Sequence, residues 1–339
     1  MNYFSFNPLW HEKIGKIYAL LERVKISEEK SKDVLHLRKT NRILNINATT
    51  SIEGNRLSIE QVRDIINGKD VWGPPKDIRE VQNTFAAYEQ IPLLNPYSVS
   101  DFLKAHRLIT SDLVQESGEF RTGGVYVVNS QNDILHSGAN YHEVPHLVEE
   151  VLNWGATTET HPLLASSAIH FMIEHIHPFR DGNGRIGRLW QTLLLSRWNA
   201  LFEWMPVETI IYHNQARYYE VLQASHSGKV IDCKPFIDFM MEVIENSLYK
   251  FIDVSTKTVE NVGVKDENVG VKDKNVSVKD ENIQLISENS SITVKELAFA
   301  SKKTTRTIER HLKQLREEGI LERIGSDKTG IWKIINSKQ

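Results

Sequence analysis

Hydrophobic residues recur every three or four positions through most of the chain before residue 253, and polar residues fill the positions between them. This spacing places the hydrophobic side chains on one face of an α-helix. It predicts helices within residues 14–21, 34–37, 58–66, 79–88 and 185–198. We therefore expect helices packed around a common core, with the first hundred residues packing against the rest.

Two short hydrophobic runs depart from the helical pattern. Residues 125–128 and 134–135 consist of residues that favour strands, and they flank the polar segment 129–133. Strand-forming runs around a polar turn predict a β-hairpin. The expected fold class is therefore mainly α, with a helical core and a β-hairpin that could cover a site or simply seal the core.

The C-terminal residues carry a separate pattern. Thr293 and Glu296 have the spacing of a capping box, and Thr304 precedes a further amphipathic segment. The predicted elements are helices beginning near residues 283, 293 and 304, and strands at residues 320–324 and 330–335. Three helices followed by a hairpin resemble a small winged helix-turn-helix domain, with residues 304–317 in the position of the recognition helix.

Three near-copies of a seven-residue unit precede this domain, at residues 261–267, 268–274 and 275–281. Their hydrophobic residues alternate in twos, and Gly, Asn and Asp are poor helix formers, so a coiled coil is disfavoured. We predict a repetitive linker. The predicted organisation is an N-terminal helical region (1–100), a helical core (101–252), the linker (253–282) and the winged helix (283–339).

The length and composition agree with those of an intracellular protein. The chain has 339 residues, 40% of them hydrophobic, and a formal net charge of −3. Its single cysteine, Cys233, cannot form an internal disulfide, which fits a reducing compartment. No signal-like start and no run of about 18 hydrophobic residues is present. The expectation is a cytoplasmic protein without a membrane partner.

Charge is distributed unevenly along the chain. Residues 284–339 contain 11 Lys and Arg against 7 Asp and Glu, which gives +4, so the rest of the chain carries −7. The basic residues near the third predicted helix are Lys302, Lys303, Arg306, Arg310, Lys313 and Arg316. Such a cluster predicts contact with DNA. A protein-docking role stays open, because Glu309 and Glu317 dilute the basic patch.

Residues 177–188 bring together several residue types that bind phosphate or metal ions or accept protons. The glycine-containing turn 182–184 leads into the helix predicted at 185–198, and the N–H groups at a helix N-terminus bind phosphate. Arg185 and Arg188 share a helix face and could both reach one polyphosphate. Asp181 can hold Mg²⁺ against phosphates, and His177 can take a proton from a hydroxyl. The segment therefore predicts a nucleotide-handling active site.

This segment resembles, without a gap, the signature of the Fic (Fido) family. The matching residues are His177, Phe179, Asp181, Gly182, Asn183, Gly184, Arg185 and Arg188. The resemblance implies transfer of AMP from ATP to a protein hydroxyl, with His177 as general base, Asp181 as Mg²⁺ ligand, residues 182–185 as anion hole and Arg188 on the γ-phosphate. Phe179 would anchor the loop in the core.

The same resemblance implies further contacts. The hairpin 123–137 would cover the nucleotide and hold the target protein by strand pairing, and an aromatic residue, Tyr218, would lie near the adenine. The implied nucleotide-binding residues are Val125, Tyr126, Val127, Val128, Asp181, Gly182, Asn183, Gly184, Arg185, Ile186, Gly187, Arg188 and Tyr218. Dimerisation is common in the family, and no residue of this sequence decides it.

A second segment, residues 49–55, resembles the inhibitory motif of Fic proteins. Glu53 would be the inhibitory residue, since a carboxylate paired with Arg188 removes the charge that grips the γ-phosphate. Residues 49–53 could instead begin a helix with Glu53 in its first turn. Within the enzyme class, Glu53 could also activate water to remove AMP from a modified protein.

Two function classes remain. One is a self-inhibited protein adenylyltransferase, and the other is a DNA-binding regulator that uses the core as a nucleotide sensor. The many histidines around the signature show no metal-ligand spacing, so zinc chemistry is not expected.

Overall fold

The computed structural model describes residues 3–30, 34–128, 134–226, 231–262, 286, 293–300, 305–317, 320–324 and 331–334. The chain divides into two compact units, Met1–Val264 and Lys265–Gln339. Helices dominate the described residues, and each of the two small sheets has two antiparallel strands. The predicted fold class, mainly α with a hairpin and a C-terminal winged helix, is confirmed.

The first unit contains eleven described α-helices, two short 3₁₀ helices (Ile91–Leu93 and Ala200–Glu203) and one hairpin. The helices are α1 (Leu9–Lys30), α2 (Val34–Ile52), α3 (Ile59–Ile66), α4 (Pro75–Glu89), α5 (Val99–Thr110), α6 (Val144–Thr157), α7 (Pro162–Ile176), α8 (Asn183–Trp198), α9 (Val207–His213), α10 (Gln215–His226) and α11 (Lys234–Val262). The hairpin strands are β1 (Tyr126–Val128) and β2 (Ile134–Ser137). One hydrophobic core includes residues from Tyr3 to Ile252, so residues on both sides of position 100 share it.

Helices α7 and α8 form the centre of this unit. They pack against each other, and almost every side chain of α7 is buried. Pro162 suits the first turn of α7 because that position needs no N–H donor. The loop 177–182 joins the two helices, so it is held between two buried elements. This arrangement fixes the position of the signature residues.

Helix α2 brings the N-terminal region to the same place. It packs against α4, α8 and α9, and Asn45 donates a 2.7 Å hydrogen bond to the carbonyl oxygen of Met205. A smaller hydrophobic cluster from α2, α3 and α4 supports its outer side. Ser58 and Gln61 form a capping box at the start of α3, as the position of Ser58 predicts. The C-terminal end of α2 consequently lies at the N-terminus of α8.

The hairpin pairs Tyr126 with Ser137 and Val127 with His136, and an irregularity follows Val127. Strand β2 extends two residues beyond the predicted Leu135. The predicted turn 129–133 lies outside the described residues.

Helix α11 continues to Val262, past the predicted boundary at residue 252. Residues 253–262 of the predicted linker are therefore helical. The rest of the linker, including most of the seven-residue repeats, lies outside the described residues. Among the described residues, no helix is both long and hydrophobic enough to cross a membrane.

The second unit has the predicted order of elements. Its described helices are α12 (Val294–Ala300) and α13 (Thr305–Glu317), and its strands β3 (Leu321–Ile324) and β4 (Ile331–Ile334) pair antiparallel. Thr293 and Glu296 form the predicted capping box, with the Thr293 N–H donating to Glu296 at 2.8 Å. Of the helix predicted at 283–287, only Ile286 is described; it is helical and buried in the core of this unit.

Candidate active site

His177 lies at the C-terminal cap of α7 in a left-handed conformation, with φ 52° and ψ 62°. Such a backbone costs about 1–3 kcal/mol for a residue other than glycine, so the surroundings must hold it. Arg121 does this: its buried guanidinium donates to the carbonyl oxygens of His177 at 2.7 Å and of Ile176 at 3.2 Å. This contact could not be predicted from the sequence, because Arg121 lies 56 residues before His177 in the chain.

Hydrogen bonds and ring stacking hold the loop after His177 in one conformation. Asn183 donates to the carbonyl oxygen of Phe179 and accepts from its N–H, both at 2.9 Å. Phe179 is fully buried and stacks on the ring of His106 at 3.5 Å, as expected for a core anchor. His106 accepts from the N–H of Gly118, so its other ring nitrogen donates to the carbonyl oxygen of Asp181 at 2.9 Å. His106 thereby positions the loop, a role that sequence reasoning missed.

Gly182 is required by its conformation and its surroundings. Its φ is +86°, and an added Cβ would lie 2.9 Å from the Thr110 methyl group. We expect Gly182→Ala to destabilise the protein by about 1–3 kcal/mol. Gly15→Ala is the matched control, because Gly15 lies inside α1 with open space around it and should gain about 0.5–1 kcal/mol. Urea unfolding measures both, and equal midpoints for the two variants would contradict this account.

The loop, α2, the hairpin and α10 enclose a cavity of about 330 Å³. A volume of this size is in the range of small-molecule sites. The lining residues are Glu53, Val125, Tyr126, Val127, His136, Glu174, His177, Arg180, Asp181, Gly182, Asn183, Gly184, Arg188, Tyr218, Tyr219, Leu222, Gln223 and His226. The structure therefore brings most of the predicted site residues together.

His177 has the protonation state that a base needs. Burial lowers the pKa of His177 to about 4, so the ring is neutral near pH 7. Its Nδ1 lies 3.3 Å from the carbonyl oxygen of Glu174, and a carbonyl can only accept a hydrogen bond. The proton is therefore placed on Nδ1, and Nε2 keeps a lone pair.

Glu53 follows the last turn of α2, where Gly54 adopts a φ of +91°. The segment 49–53 ends a helix, so the alternative of a helix start is wrong. The Glu53 carboxylate pairs with Arg188 at 2.5 Å and lies against Gly184 in the first turn of α8. Thr49 also accepts from Arg188 at 2.8 Å, so the end of α2 and the residue that follows it supply both partners of this buried guanidinium. A carboxylate thus lies where a helix N-terminus favours an anion.

Three predicted contact residues point elsewhere. Arg185 pairs with Glu80 at 2.6 Å and with Asp181 at 3.2 Å, so it does not share a ligand-facing side with Arg188. Ile186 is fully buried in the core, and an added Cβ at Gly187 would meet the His170 ring at 2.7 Å. These residues do not line the cavity in the described structure. The helical turn directs their side chains into the protein, which leaves only backbone N–H groups for a ligand. The side chain of Val128 lies outside the described residues.

Asp181 lies at the mouth of the cavity with its side chain 50% exposed. One carboxylate oxygen accepts from the N–H of Gly182 at 2.6 Å and from Arg185. An accessible carboxylate beside a helix N-terminus suits Mg²⁺, which prefers one or two carboxylates together with substrate phosphates. The donor set present at this position therefore fits the ion.

Tyr218 is the buried member of the tyrosine pair on α10. Its hydroxyl donates to Glu174 at 3.1 Å, while Tyr219 is 46% exposed; both line the cavity. Burial raises the pKa of Glu174 to about 7. Sequence reasoning missed Glu174, a buried acid on the cavity wall three residues before His177.

His136, His175 and His226 converge beside the same cavity. One ring nitrogen from each lies within 4.8 Å of the others. Burial lowers the pKa of all three, to about 4 for His175 and about 3 for His226. The sequence indicated no metal-ligand spacing among the histidines, and these three form a possible ligand group only in the folded chain. Spacing along the chain could not detect the cluster, because its members lie on β2, α7 and α10.

Comparison with known proteins agrees with this geometry. Residues 96–195 match the family described as Fic/DOC family, and residues 283–323 match the description "Bacterial regulatory protein, arsR family". A crystal structure of a Fic family protein from Desulfovibrio desulfuricans G20 is 31% identical, has a TM-score of 0.70, and aligns over 100% of this chain and 99% of that one.

Curated relatives include "Protein adenylyltransferase fic-1" from Caenorhabditis elegans, 28% identical over 63% of this chain and 42% of its own length. "Protein adenylyltransferase Fic" from Aedes aegypti is 29% identical over 61% of this chain and 41% of its own length. The chain thus spans about two fifths of the length of these relatives. With the site geometry and the similarity along the whole bacterial structure, it follows that the chain belongs to the Fic family.

Proposed function

We propose that this protein transfers AMP from ATP to a hydroxyl group of a target protein and that Glu53 inhibits the transfer. The observation that carries the proposal is the arrangement of the cavity. A neutral histidine, His177, lies beside a helix N-terminus whose arginine, Arg188, is held by Glu53. The adenylyltransferase names of the curated relatives support the same reaction.

In the proposed complex the phosphates of ATP bind at the N-terminus of α8. The N–H groups of residues 183–185 precede Ile186, whose N–H is the first to donate within the helix, so they can donate to phosphate oxygens. Asp181 would hold Mg²⁺, which neutralises phosphate charge when bound. Arg188 would contact the γ-phosphate once Glu53 has left it. Tyr218 and Tyr219 line the part of the cavity formed by α10, which is the proposed adenine side.

The reaction is a displacement at the α-phosphorus. His177 Nε2 takes the proton from a Ser, Thr or Tyr hydroxyl, and the hydroxyl oxygen attacks phosphorus. A new oxygen–phosphorus bond forms, the bond to the β-phosphate oxygen breaks, and pyrophosphate leaves. The target keeps AMP as a phosphodiester. Tight placement of the α-phosphate matters, because catalysis of this kind depends on alignment.

Glu53 inhibits in this proposal by taking the place of the γ-phosphate. Its side chain is 29% exposed, so it can leave without unfolding the core. While it is paired, ATP cannot place its γ-phosphate on Arg188, and the α-phosphate is misaligned for attack. Because Glu53 also lines the cavity, the same carboxylate is placed to activate water for AMP removal. That second reaction would be measured as release of AMP from a modified target.

The hairpin is the proposed docking place for the target. Tyr126 is 60% exposed and Ile134 is 61% exposed, so the short sheet presents apolar side chains to solvent. An extended peptide can add to such an edge through main-chain hydrogen bonds. This would place a hydroxyl side chain near His177, since Val125 and Val127 line the cavity.

Two labelled substrates test the type of transfer. Protein incubated with ATP labelled at the α-phosphate should become labelled, and protein incubated with ATP labelled at the γ-phosphate should not. The comparison uses the Glu53→Gly variant, because we expect it to incorporate more label than wild type. Label from the γ-phosphate alone would show phosphoryl transfer and contradict the proposal.

The pH profile tests the state of His177. Burial lowers the pKa of His177 to about 4, so the base is already neutral at pH 6 and is lost only as pH falls through about 4. We expect the rate of AMP transfer by the double variant Glu53→Gly/Glu174→Gln to change less than about twofold between about pH 6 and 8. The second substitution removes a group whose pKa is raised to about 7 by burial. A steep loss of activity centred near pH 6.5 would contradict the neutral-base assignment.

A second proposed activity is DNA binding by the winged helix. The match of residues 283–323 to a bacterial regulatory family favours it, and Arg310, Lys313 and Arg316 are exposed on α13. Lys302 and Lys303 lie outside the described residues, as does the side chain of Arg306. In the alternative function, a DNA-binding regulator, the first unit would bind nucleotide as a sensor without transferring AMP to protein.

Exchange of Arg310 and Arg316 for glutamine should weaken DNA binding. The logarithm of affinity falls with the logarithm of salt concentration at about 0.9 per phosphate contact, so the slope should decrease by about 2. Fluorescence anisotropy with a duplex of random sequence measures this. Arg63→Gln combined with Arg79→Gln is the charge-matched control, because both arginines are exposed in the first unit. An unchanged slope in the α13 variant would place any DNA site elsewhere.

A further inference from the structure

Three histidines from three separate elements meet beside the cavity. His136 belongs to β2, His175 to the last turn of α7, and His226 to the end of α10. One ring nitrogen from each lies within 4.8 Å of the others. The three side chains are partly buried rather than spread on the surface. This set is separate from the residues to which the proposed transfer reaction assigns a role.

The hydrogen bonds of the cluster show which ring nitrogens carry protons. His136 Nε2 lies 2.7 Å from the carbonyl oxygen of His175, so it must donate, and its Nδ1 keeps a lone pair. His175 Nδ1 and His226 Nδ1 are 2.9 Å apart and share one proton between them. A metal ion can take the place of that proton if the ring that carries it, His175 or His226, changes tautomer and holds its hydrogen on Nε2 instead of Nδ1.

Binding of one ion requires the stacked pair of rings to separate. His175 lies 5.1 Å from each of the other two rings, close to the centroid separation of roughly 5 Å expected for imidazoles on one tetrahedral ion. His136 stacks on His226 with centroids 3.8 Å apart, so its ring must turn out of the stack to direct a lone pair at the ion. Zinc–nitrogen distances of about 2.0–2.1 Å in a tetrahedron require nitrogens roughly 3.3 Å apart. The observed limit of 4.8 Å can close to this value by rotation of the imidazole rings. The bond from His136 to a carbonyl oxygen is the type of outer contact that orients a metal-binding imidazole.

We propose that His136, His175 and His226 bind a divalent transition metal of the zinc class and that the ion ties strand β2 to α7 and α10. Three imidazoles suit zinc, copper, nickel or cobalt, whereas Mg²⁺ prefers the oxygen ligands available at Asp181. His136 and His226 also line the cavity, so a fourth position would open toward it. Bound metal would therefore hold the hairpin in place over the candidate active site.

Metal binding can be measured without any assay of AMP transfer. Tag-free full-length protein, stripped with a chelator, is titrated with Zn²⁺ by calorimetry and with Co²⁺ by visible absorption, which reports tetrahedral coordination. Wild type should bind one equivalent. His226→Ala and His136→Ala should each lose at least about 100-fold in affinity, since even loss of an outer-shell contact costs about 10–100-fold. His136 lies on the hairpin, so its substitution leaves the helical core intact.

The matched control is His146→Ala, because His146 is exposed on α6 and should leave metal affinity unchanged. Amide hydrogen exchange supplies the second measurement: Zn²⁺ should slow exchange in Ile134–Ser137 of wild type but not of His226→Ala. Absence of one-equivalent binding by wild type would overturn the proposal. So would wild-type affinity in either cluster variant, or binding that leaves exchange in β2 unchanged.

Discussion

Glu53→Gly should raise transfer of AMP to protein by on the order of 10²-fold or more. The substitution removes the carboxylate that pairs with Arg188 at 2.5 Å and lies against Gly184. Arg188 is then free to contact a γ-phosphate, and the first turn of α8 is free to bind the α-phosphate. The rate of label incorporation from ATP labelled at the α-phosphate measures the change, with the protein itself as acceptor.

Glu203→Gly is the matched control for this experiment. Glu203 is also partly exposed and also pairs with a buried arginine, Arg42 at 3.3 Å, but it does not line the cavity. It should leave the transfer rate near that of wild type. If both glutamate variants raised labelling equally, general loosening of the fold would explain the effect. An unchanged rate in Glu53→Gly would remove Glu53 from the inhibitory role.

His177→Ala, introduced into the Glu53→Gly background, should reduce transfer by about 10²–10⁴-fold, the usual contribution of a general base. ATP binding should persist, because the N–H groups of α8 and Arg188 remain. Parallel measurements of transfer rate and of ATP affinity by calorimetry separate these two effects.

His177→Asn controls for the backbone. Position 177 has a φ of 52°, and asparagine tolerates this conformation better than most residues. Asparagine cannot act as a base at this position, so both variants should be inactive. Transfer retained by His177→Asn would show that position 177 needs only the backbone conformation, and the base would have to be another group.

The sequence predicted the site best where the chemistry is local. Glycine and hydrophobic spacing alone predicted a helix N-terminus here. Helix α8 begins at Asn183, two residues before the predicted start, so only Gly182 of the predicted turn precedes it. The hairpin was similarly readable from two runs around a polar turn. In the C-terminal unit, the capping box and the alternation of elements predicted the described helices and strands.

Long-range contacts could not be predicted in this way. The partner of Arg185 is Glu80, and the residue that clamps His177 is Arg121; both pairings depend on how helices pack. The prediction that Arg185 and Arg188 both reach one polyphosphate rested on residues three apart sharing a helix face. In the folded chain, α4 contributes the partner of one arginine and α2 the partner of the other. The histidine cluster is hidden for the same reason, since its members lie 39 and 51 residues apart.

The central claim is that Glu53 restrains an AMP-transferring site whose base is His177. The most direct test incubates wild type, Glu53→Gly and the Glu53→Gly/His177→Ala double variant with Mg²⁺ and ATP labelled at the α-phosphate. We predict weak label on wild type, strong label on Glu53→Gly and none on the double variant. Equal label on the last two proteins, or no label on any of them when all bind ATP, would contradict the claim.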